Sequence, residues 1–405
     1  MKINKLTTSV SPDPAQTDLV LVNNQRLFAQ MLNHLQTQPR IALDTESDSL
    51  FRYTPKVCLI QLSVPSEPEN PHPAQVMDYL VDPLRLDDLA PLGALFANPA
   101  CEVIMHAAEN DMLTLQRDFG FRFARVFDTQ LAARILGWPR VGLAALLEEH
   151  FGAISNKQMQ RTNWGQRPLT PQQVAYAQMD THYLPALRAK QIEQLQANGH
   201  WVEAEEAFSL LVRNNKELRP LNERSFWQMS GTRDVPRDQL AVLQALWEWR
   251  EDEAHRLDRP PFKVMGDDTL MQLATRQPRT TSELRQINGV GEVTFSRYGQ
   301  TLLAVLAEGK RRPVPAFPAA TLRPEQMLDV AARARYDALR AWRTSTAEAR
   351  SVAPEIIFTN STLLELAQRM PQNEAELLEF AEIGPWKVKS YGVALLRLLH
   401  QRTGK

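Results

Sequence analysis

Residues 40–50 read RIALDTESDSL. An aliphatic run of strand length ends in two carboxylates, Asp44 and Glu46, at i and i+2. On a strand this spacing puts both on the same face, at its C-terminal end. Acids gain nothing from packing at the end of an apolar run, so the pair reads as a site. Two further acids extend it. Asp111 lies in VIMHAAENDMLTL (103–115), near the start of a helical pattern whose first-turn amides favour an anion. Asp180 lies in AYAQMD (175–180), with Tyr176 four residues earlier and therefore on the same helix face. An oxygen-rich, carboxylate-only set suits hard divalent ions such as Mg²⁺ or Mn²⁺. Four carboxylates near one spot would repel each other without such ions. Two ions about 4 Å apart can hold a phosphodiester for in-line attack by water. Tyr176, with an ordinary pKa of about 10, would orient that water rather than act as a free base.

The sequence around this constellation is α/β in its first half. RIALDTES, VCLIQLSV, QVMDYLVD and CEVIMH are strand-like runs. DLAPLGALFA, ENDMLTLQRDFG, TQLAARILG and LAALLEEHFG are helical patterns, with Asp128 a plausible N-cap before Thr129. Three strands in succession before any long helix predict a mixed sheet. Residues 171–198 are expected to form one long helix, opened by Pro171 after Thr170.

Beyond about residue 206 the strand signal disappears and an internal repeat begins, at an ungapped offset of 93 residues. Trp249-Arg250, Leu270, Gly291 and Tyr298-Gly299 return as Trp342-Arg343, Leu363, Gly384 and Tyr391-Gly392. Such spacing marks two copies of one small helical domain. The expected division is 1–205 for the α/β domain and 206–232 for a connector. The first helical copy takes 233–309, a Pro-rich linker 310–323, and the second copy 324–405. Each copy has a turn before its last helix, INGVGEVTFSRYGQ and FAEIGPWKVKSYGV. Gly291 and Gly384 would tighten these turns, and the helix amides beyond could face a phosphate, with Arg297, Lys387 or Lys389 nearby. The repeated aromatics and leucines read as small-domain cores.

At 405 residues the chain is too long for a single core. With 43% hydrophobic and 23% charged residues its composition is that of a soluble globular protein. MKINKLTTSV lacks the apolar stretch of a signal peptide, and no run of about 18 apolar residues predicts a membrane span. The two cysteines, Cys58 and Cys101, sit in apolar runs and read as buried thiols of a reducing cytoplasm. A net charge of −1 gives no global pull on a polyanion, and only positions 310–350 lean basic. No G-x-x-x-x-G-K-[ST] phosphate loop is present, which argues against an independent ATPase.

The ordered motifs resemble a family. DTE at 44–46, His106 to Asp111, and Tyr176 to Asp180 look like the three exonuclease motifs of the DEDD superfamily. The tyrosine points to its DEDDy branch, because the other branch would need His where Ala175 stands. LQRDFGFRFARVFDTQLAARIL and NKQMQRTNWGQRPLTPQQVAYAQMD are similar to segments of ribonuclease D and of its eukaryotic nuclear-exosome relative. Both helical copies resemble the HRDC domain. Ser47 and Asn163 depart from the family's usual residues, away from the metal positions.

The resemblance implies an RNase H-like mixed sheet flanked by helices, followed by two all-α HRDC-like domains. It implies 3′→5′ hydrolysis of RNA to nucleoside 5′-monophosphates, with stable-RNA and tRNA precursors as substrates. Asp44, Glu46, Asp111 and Asp180 would be ligands of two divalent ions, Mg²⁺ or Mn²⁺, and Tyr176 the water-orienting residue. His106, Lys157 and Arg167 are candidates for contact with RNA that has a free 3′ end. A cytoplasmic monomer with no membrane partner is expected. The alternatives are a DEDDy exodeoxyribonuclease of repair type and a non-catalytic RNA-binding adaptor. Intact acids argue against the adaptor, whereas nothing in the motifs separates ribose from deoxyribose.

Overall fold

The computed structural model describes residues 18–215, 225–317 and 328–400. The N-terminal MKINKLTTSV, the middle of the connector, Arg323 and the end of the Pro-rich linker lie outside the described residues. The chain divides into two compact units, one of residues 1–47, 57–218 and 322–405, the other of residues 48–56 and 219–321.

The first unit is built on a six-stranded sheet. In chain order come β1 (Asp18–Val22), α1 (Gln25–Leu35), β2 (Arg40–Ser47), β3 (Val57–Pro65) and β4 (Val76–Val81). Then follow α2 (Ala90–Phe96), β5 (Glu102–Met105), α3 (Glu109–Phe119), β6 (Val126–Asp128), α4 (Thr129–Ile135) and α5 (Leu143–Phe151). The order across the sheet is β1-β4-β3-β2-β5-β6. β2, β3 and β4 are antiparallel neighbours, while β1–β4, β2–β5 and β5–β6 pair in parallel. The mixed sheet expected from the succession of strands is therefore present. Every residue of β3 is buried, which is why it reads as a continuous apolar run rather than an alternating one. β1 and β6 are short edge strands, only five and three residues long, and their signal is too brief to stand out in sequence.

Residues 171–198 are not one helix. α6 (Pro171–His182) and α7 (Leu184–Ala197) meet at Tyr183, which caps both. Pro185 accounts for the break. It has no N–H to give the carbonyl of Thr181, and its ring would collide with that carbonyl in a continuous helix. α8 (Trp201–Asn214) follows, so the boundary expected at 205/206 falls inside a helix.

The second unit holds the first helical copy: α9 (Leu240–Arg256), α10 (Pro261–Val264), α11 (Asp267–Arg276), α12 (Thr281–Leu284) and α13 (Glu292–Gly309). Residues 48–56, which follow β2 in sequence, belong to this unit. Arg52 pairs with Asp258, and the Lys263 ammonium stands 3.9 Å over the Phe51 ring. The second copy is in the first unit: α14 (Val330–Ala349), α15 (Pro354–Ile357), α16 (Asn360–Arg369), α17 (Glu374–Leu377) and α18 (Pro385–His400). The offset of 93 holds for the starts of the last four helices of each copy. It holds also where the residues differ. Gln277 and Met370 end equivalent helices in the left-handed region, as do Asp258 and Ser351 at an earlier turn. Arg250 and Arg343 donate to the carbonyls of Met265 and Phe358, at 3.1 and 2.9 Å. Trp249 with Tyr298, and Trp342 with Tyr391, pack edge to face against the two cores.

Within the first unit, α8 carries the acids that fasten the second copy. The buried Glu203 carboxylate accepts both terminal nitrogens of Arg350, at 2.9 and 2.6 Å. Glu206 accepts the backbone N–H groups of Trp386 and Lys387, at 2.5 and 3.1 Å. Arg213 donates to the carbonyl of Ala381 at 2.8 Å. Removing one member of a buried pair leaves an uncompensated charge, so Arg350→Ala should lower stability by about 3–5 kcal/mol. Thermal melts of the full chain, with Arg213→Ala as the mild control, would register the loss.

Candidate active site

β2 lies in the middle of the sheet, and its bulge between Glu46 and Ser47 ends the regular pairing beside the two acids. Asp44 stands opposite Gln61 and Glu46 opposite Leu59 on β3. On the other side β5 runs parallel to β2 and leads directly to α3, the third residue of which is Asp111. The chain makes that passage with Ala107 at a left-handed φ of 58°. Asp128 holds the passage in place. One carboxylate caps α4 through the amides of Gln130 and Leu131 (2.8 and 3.1 Å) and binds those of Ala107 and Ala108 (3.1 and 2.9 Å). An N-cap visible in the sequence thus also anchors the start of α3. The Thr45 hydroxyl, between the two acids of β2, donates to Asp111 Oδ1.

The last acid comes from α6. A capping box of Thr170 and Gln173 opens this helix, and most of its later residues are buried, with Ala175 exposed. Asp180 is 5% and Tyr176 7% exposed, so neither is a solvated surface group. The Tyr176 phenol hydrogen-bonds the Asp180 carboxylate, and the Gln160 side chain hydrogen-bonds the phenol in turn. Gln160 belongs to the 3₁₀ segment Lys157–Arg161 and had no mark in the sequence.

The four acids are within electrostatic reach of one another. Burial raises the Asp44 carboxyl well above its ordinary value, and the charges of Asp111, Asp180 and Glu46 raise it further. Glu46 is pushed up to about 9 by burial, then by Asp180 and Asp111. Asp180 is pushed up to about 8 by burial against the pull of the Tyr176 hydrogen bond. Asp111 rises only to about 6, burial being offset by the Thr45 hydroxyl. Burial also raises Tyr176, which therefore stays a phenol. Among the described residues no group of three or more His, Cys, Asp or Glu side chains is placed so that it could hold a metal ion. The donor set nevertheless fits hard cations: it offers only carboxylates, and the buried Oδ2 of Asp180 has no hydrogen-bond partner in the protein.

The candidate RNA contacts separate. Lys157 is exposed on the 3₁₀ segment, and Arg297 is exposed on α13. Arg167 is not available for phosphate. Its Nε and one terminal nitrogen bind the buried Asp82 at 2.6 and 2.8 Å. Its remaining N–H groups go to the carbonyls of Trp164 (2.7 Å), Gln166 (2.9 Å) and Cys58 (2.7 Å). A guanidinium has five N–H donors, and all are taken. Lys387 is also committed. Its ammonium lies over the Phe358 ring at 4.9 Å among Glu382, Glu206 and Glu203, and burial lowers its pKa. The amides at the start of α18 meet the Glu206 carboxylate rather than a phosphate, and Gly384 leaves the room that this side chain fills. In the first copy the tight turn is made by Gly289, at φ 90°, while Gly291 is extended. His106 bonds the Thr129 hydroxyl at 2.9 Å, and burial lowers its pKa, so it is a neutral ring beside the start of α3.

A mixed sheet that gathers four acids and a buried tyrosine, continued by two helical copies, defines a 3′–5′ exonuclease with HRDC domains. The 3′-5′ exonuclease family matches residues 19–196, and the HRDC domain matches 239–306 and 332–399. The chain belongs to the ribonuclease D family. Ribonuclease D of Pseudomonas paraeruginosa is 30% identical, over 93% of this chain and 96% of that protein. That of Escherichia coli K12 is 28% identical, over 94% and 98%. The crystal structure of Escherichia coli RNase D, described as an exoribonuclease involved in structured RNA processing, superposes with a TM-score of 0.66. It covers 96% of this chain and all of that one at 26% identity. The exonucleases of this class are generally dependent on divalent metal, and HRDC is a nucleic-acid-binding domain. No helix among the described residues is long and apolar enough to cross a membrane.

The raised acids fix a pH dependence. A carboxyl with a folded pKa above its unfolded value keeps a proton that the unfolded chain has lost, so stability falls as pH rises. For these groups the loss begins near pH 4 and continues to about pH 9. Metal-free protein should therefore be stabilised by Asp44→Asn more at pH 8 than at pH 5. In a domain of this size the gain is about 2–4 °C in melting temperature per kcal/mol of relieved repulsion. Paired melts at the two pH values after chelation would measure it, and a larger gain at pH 5 would contradict the assignment.

Proposed function

We propose that the chain removes nucleotides one at a time from the 3′ end of RNA, releasing nucleoside 5′-monophosphates. The observation that carries this is the mutual electrostatic coupling of four carboxylates, Asp180 buried and the other three half-buried, brought from β2, α3 and α6. Asp44, Glu46, Asp111 and Asp180 would hold two divalent ions, Mg²⁺ or Mn²⁺. When bound, these ions supply positive charge to the scissile phosphate and to the attacking and leaving oxygens. The protein's own work is to place and to exclude. β2 presents Asp44 and Glu46 side by side, Thr45 fixes the Asp111 rotamer, and the Asp180 carboxylate orients the Tyr176 phenol. A phenol that stays protonated can hold the attacking water in line by hydrogen bonding, but cannot remove its proton at neutral pH.

Lys157 and Arg297 are the exposed cations proposed to meet phosphates of the RNA body, as point charges that position without reading sequence. Precursors of tRNA and other stable RNAs are the proposed natural substrates. The family relationship to ribonuclease D, together with two nucleic-acid-binding modules in one chain, supports that choice over DNA repair.

Asp44→Ala and Asp180→Ala should abolish Mg²⁺-dependent release of nucleotides while far-ultraviolet circular dichroism is unchanged; full activity in both would sink the assignment. Tyr176→Phe should slow turnover by about 10²-fold or more with little effect on RNA binding. Parallel digestion of single-stranded RNA and DNA, each with a free 3′ end, decides between ribose and deoxyribose. Lys157→Ala should weaken RNA binding and reduce the slope of log K against log salt by about 1. Arg167→Ala should instead lower the melting temperature.

A further inference from the structure

Beneath the site lies a buried polar cluster that the proposed chemistry does not use. At its centre is Asp78, in the middle of β4 and 1% exposed. Its Oδ1 accepts the Ser63 hydroxyl of β3 at 2.6 Å. Its Oδ2 accepts the Gln178 amide at 2.7 Å and His182 Nδ1 at 2.8 Å. The Ser63 and Thr181 hydroxyl oxygens are 2.7 Å apart. Because Ser63 spends its one proton on Asp78, Thr181 must be the donor in that contact. Gln178, Thr181 and His182 all belong to α6, the helix that carries Tyr176 and Asp180.

The cluster answers a problem of packing. Seven of the ten residues of α6 from Gln173 to His182 are buried, Ala175 being exposed, and the helix has no single apolar stripe to choose its rotation. Apolar contact is non-directional, so it would tolerate several settings of such a helix. A turn by one residue is about 100° and would carry Asp180 off the site. The three donors of α6 meet a fixed carboxylate and hydroxyl on the sheet in one setting only. A charged group at the sheet centre is costly unless fully paired, and here both oxygens are satisfied.

We propose that Asp78 is a positioning residue, which sets the rotation of α6 and thereby places Asp180 and Tyr176 against the acids of β2. Ser63, Gln178, Thr181 and His182 are the other members of this lock. The proposal rests on the reading of the four acids as a divalent-metal site, and it concerns residues outside that set. Partners that orient metal-binding side chains from behind commonly control affinity without touching the ion.

The test uses the full chain with Asp78→Asn and Gln178→Met, two substitutions that keep side-chain volume. Melting temperature and circular dichroism report the fold. Titration calorimetry with Mn²⁺ on chelator-stripped protein reports the site, and kcat and KM on single-stranded RNA report turnover. In each variant Mn²⁺ should bind about tenfold more weakly and kcat should fall about tenfold, with KM unchanged. Wild-type Mn²⁺ affinity and kcat in Gln178→Met, or a lowered melting temperature alone, overturn the proposal. Should Asp78→Asn not fold, Gln178→Met and Thr181→Ala decide by the same criteria. A wild-type chain that takes up no Mn²⁺ and releases no nucleotide would overturn the metal-site reading instead.

Discussion

Four carboxylates, Asp180 buried and the others half-buried, stand within electrostatic reach of one another beside the end of the central strand. Their repulsion is the constraint to which the surrounding structure answers. Asp44 feels the charge of all three others, and burial removes the water that would screen them. The surroundings answer with separate devices, and two of the acids are met by hydroxyl donors. The β2 bulge ends the pairing beside Glu46, Thr45 donates to Asp111, and Tyr176 donates to Asp180. Asp128 fixes the entry to α3 through the amides of Ala107 and Ala108 while capping α4 through those of Gln130 and Leu131. The site is held against its own electrostatics by ordinary hydrogen bonds from a rigid sheet. Such a concentration of acids, of which Glu46 and Asp180 keep their protons at neutral pH when nothing compensates them, is a donor set suited to a cation.

The legible part of the molecule was the part with short-range causes. Spacing of i and i+2 on an apolar strand, and of i and i+4 on a helix, located Asp44, Glu46, Tyr176 and Asp180 without any knowledge of the fold. The repeat offset of 93 survived into the backbone, down to left-handed residues of different type at Gln277 and Met370. Pro185, with helix-favouring residues on both sides, does not stand out in the sequence as the break it makes. β1 and β6 were too short to register.

What the sequence could not show was which polar side chains spend themselves inside the protein. Arg167 and Lys387 looked like phosphate contacts from their types and neighbours. Asp82 is 85 positions from Arg167, and Glu206 is 181 from Lys387, so no local pattern connects either pair. The same holds for Asp78, which reads as an interruption in an apolar strand until α6 is folded against it. Long-range pairing of buried charge is a property of the tertiary structure, and residue type alone does not announce it.

The two helical copies share a backbone plan, yet one of them has its last helix closed by a carboxylate of the nuclease itself. Glu206 occupies the amides that begin α18, in the manner of an anion at a helix N-terminus. The second copy is in this way taken into the body of its host, the amides that open its last helix serving as a joint. Its sequence comes to be constrained by α8, and a boundary drawn by homology at the end of the nuclease would cut through a single folded core.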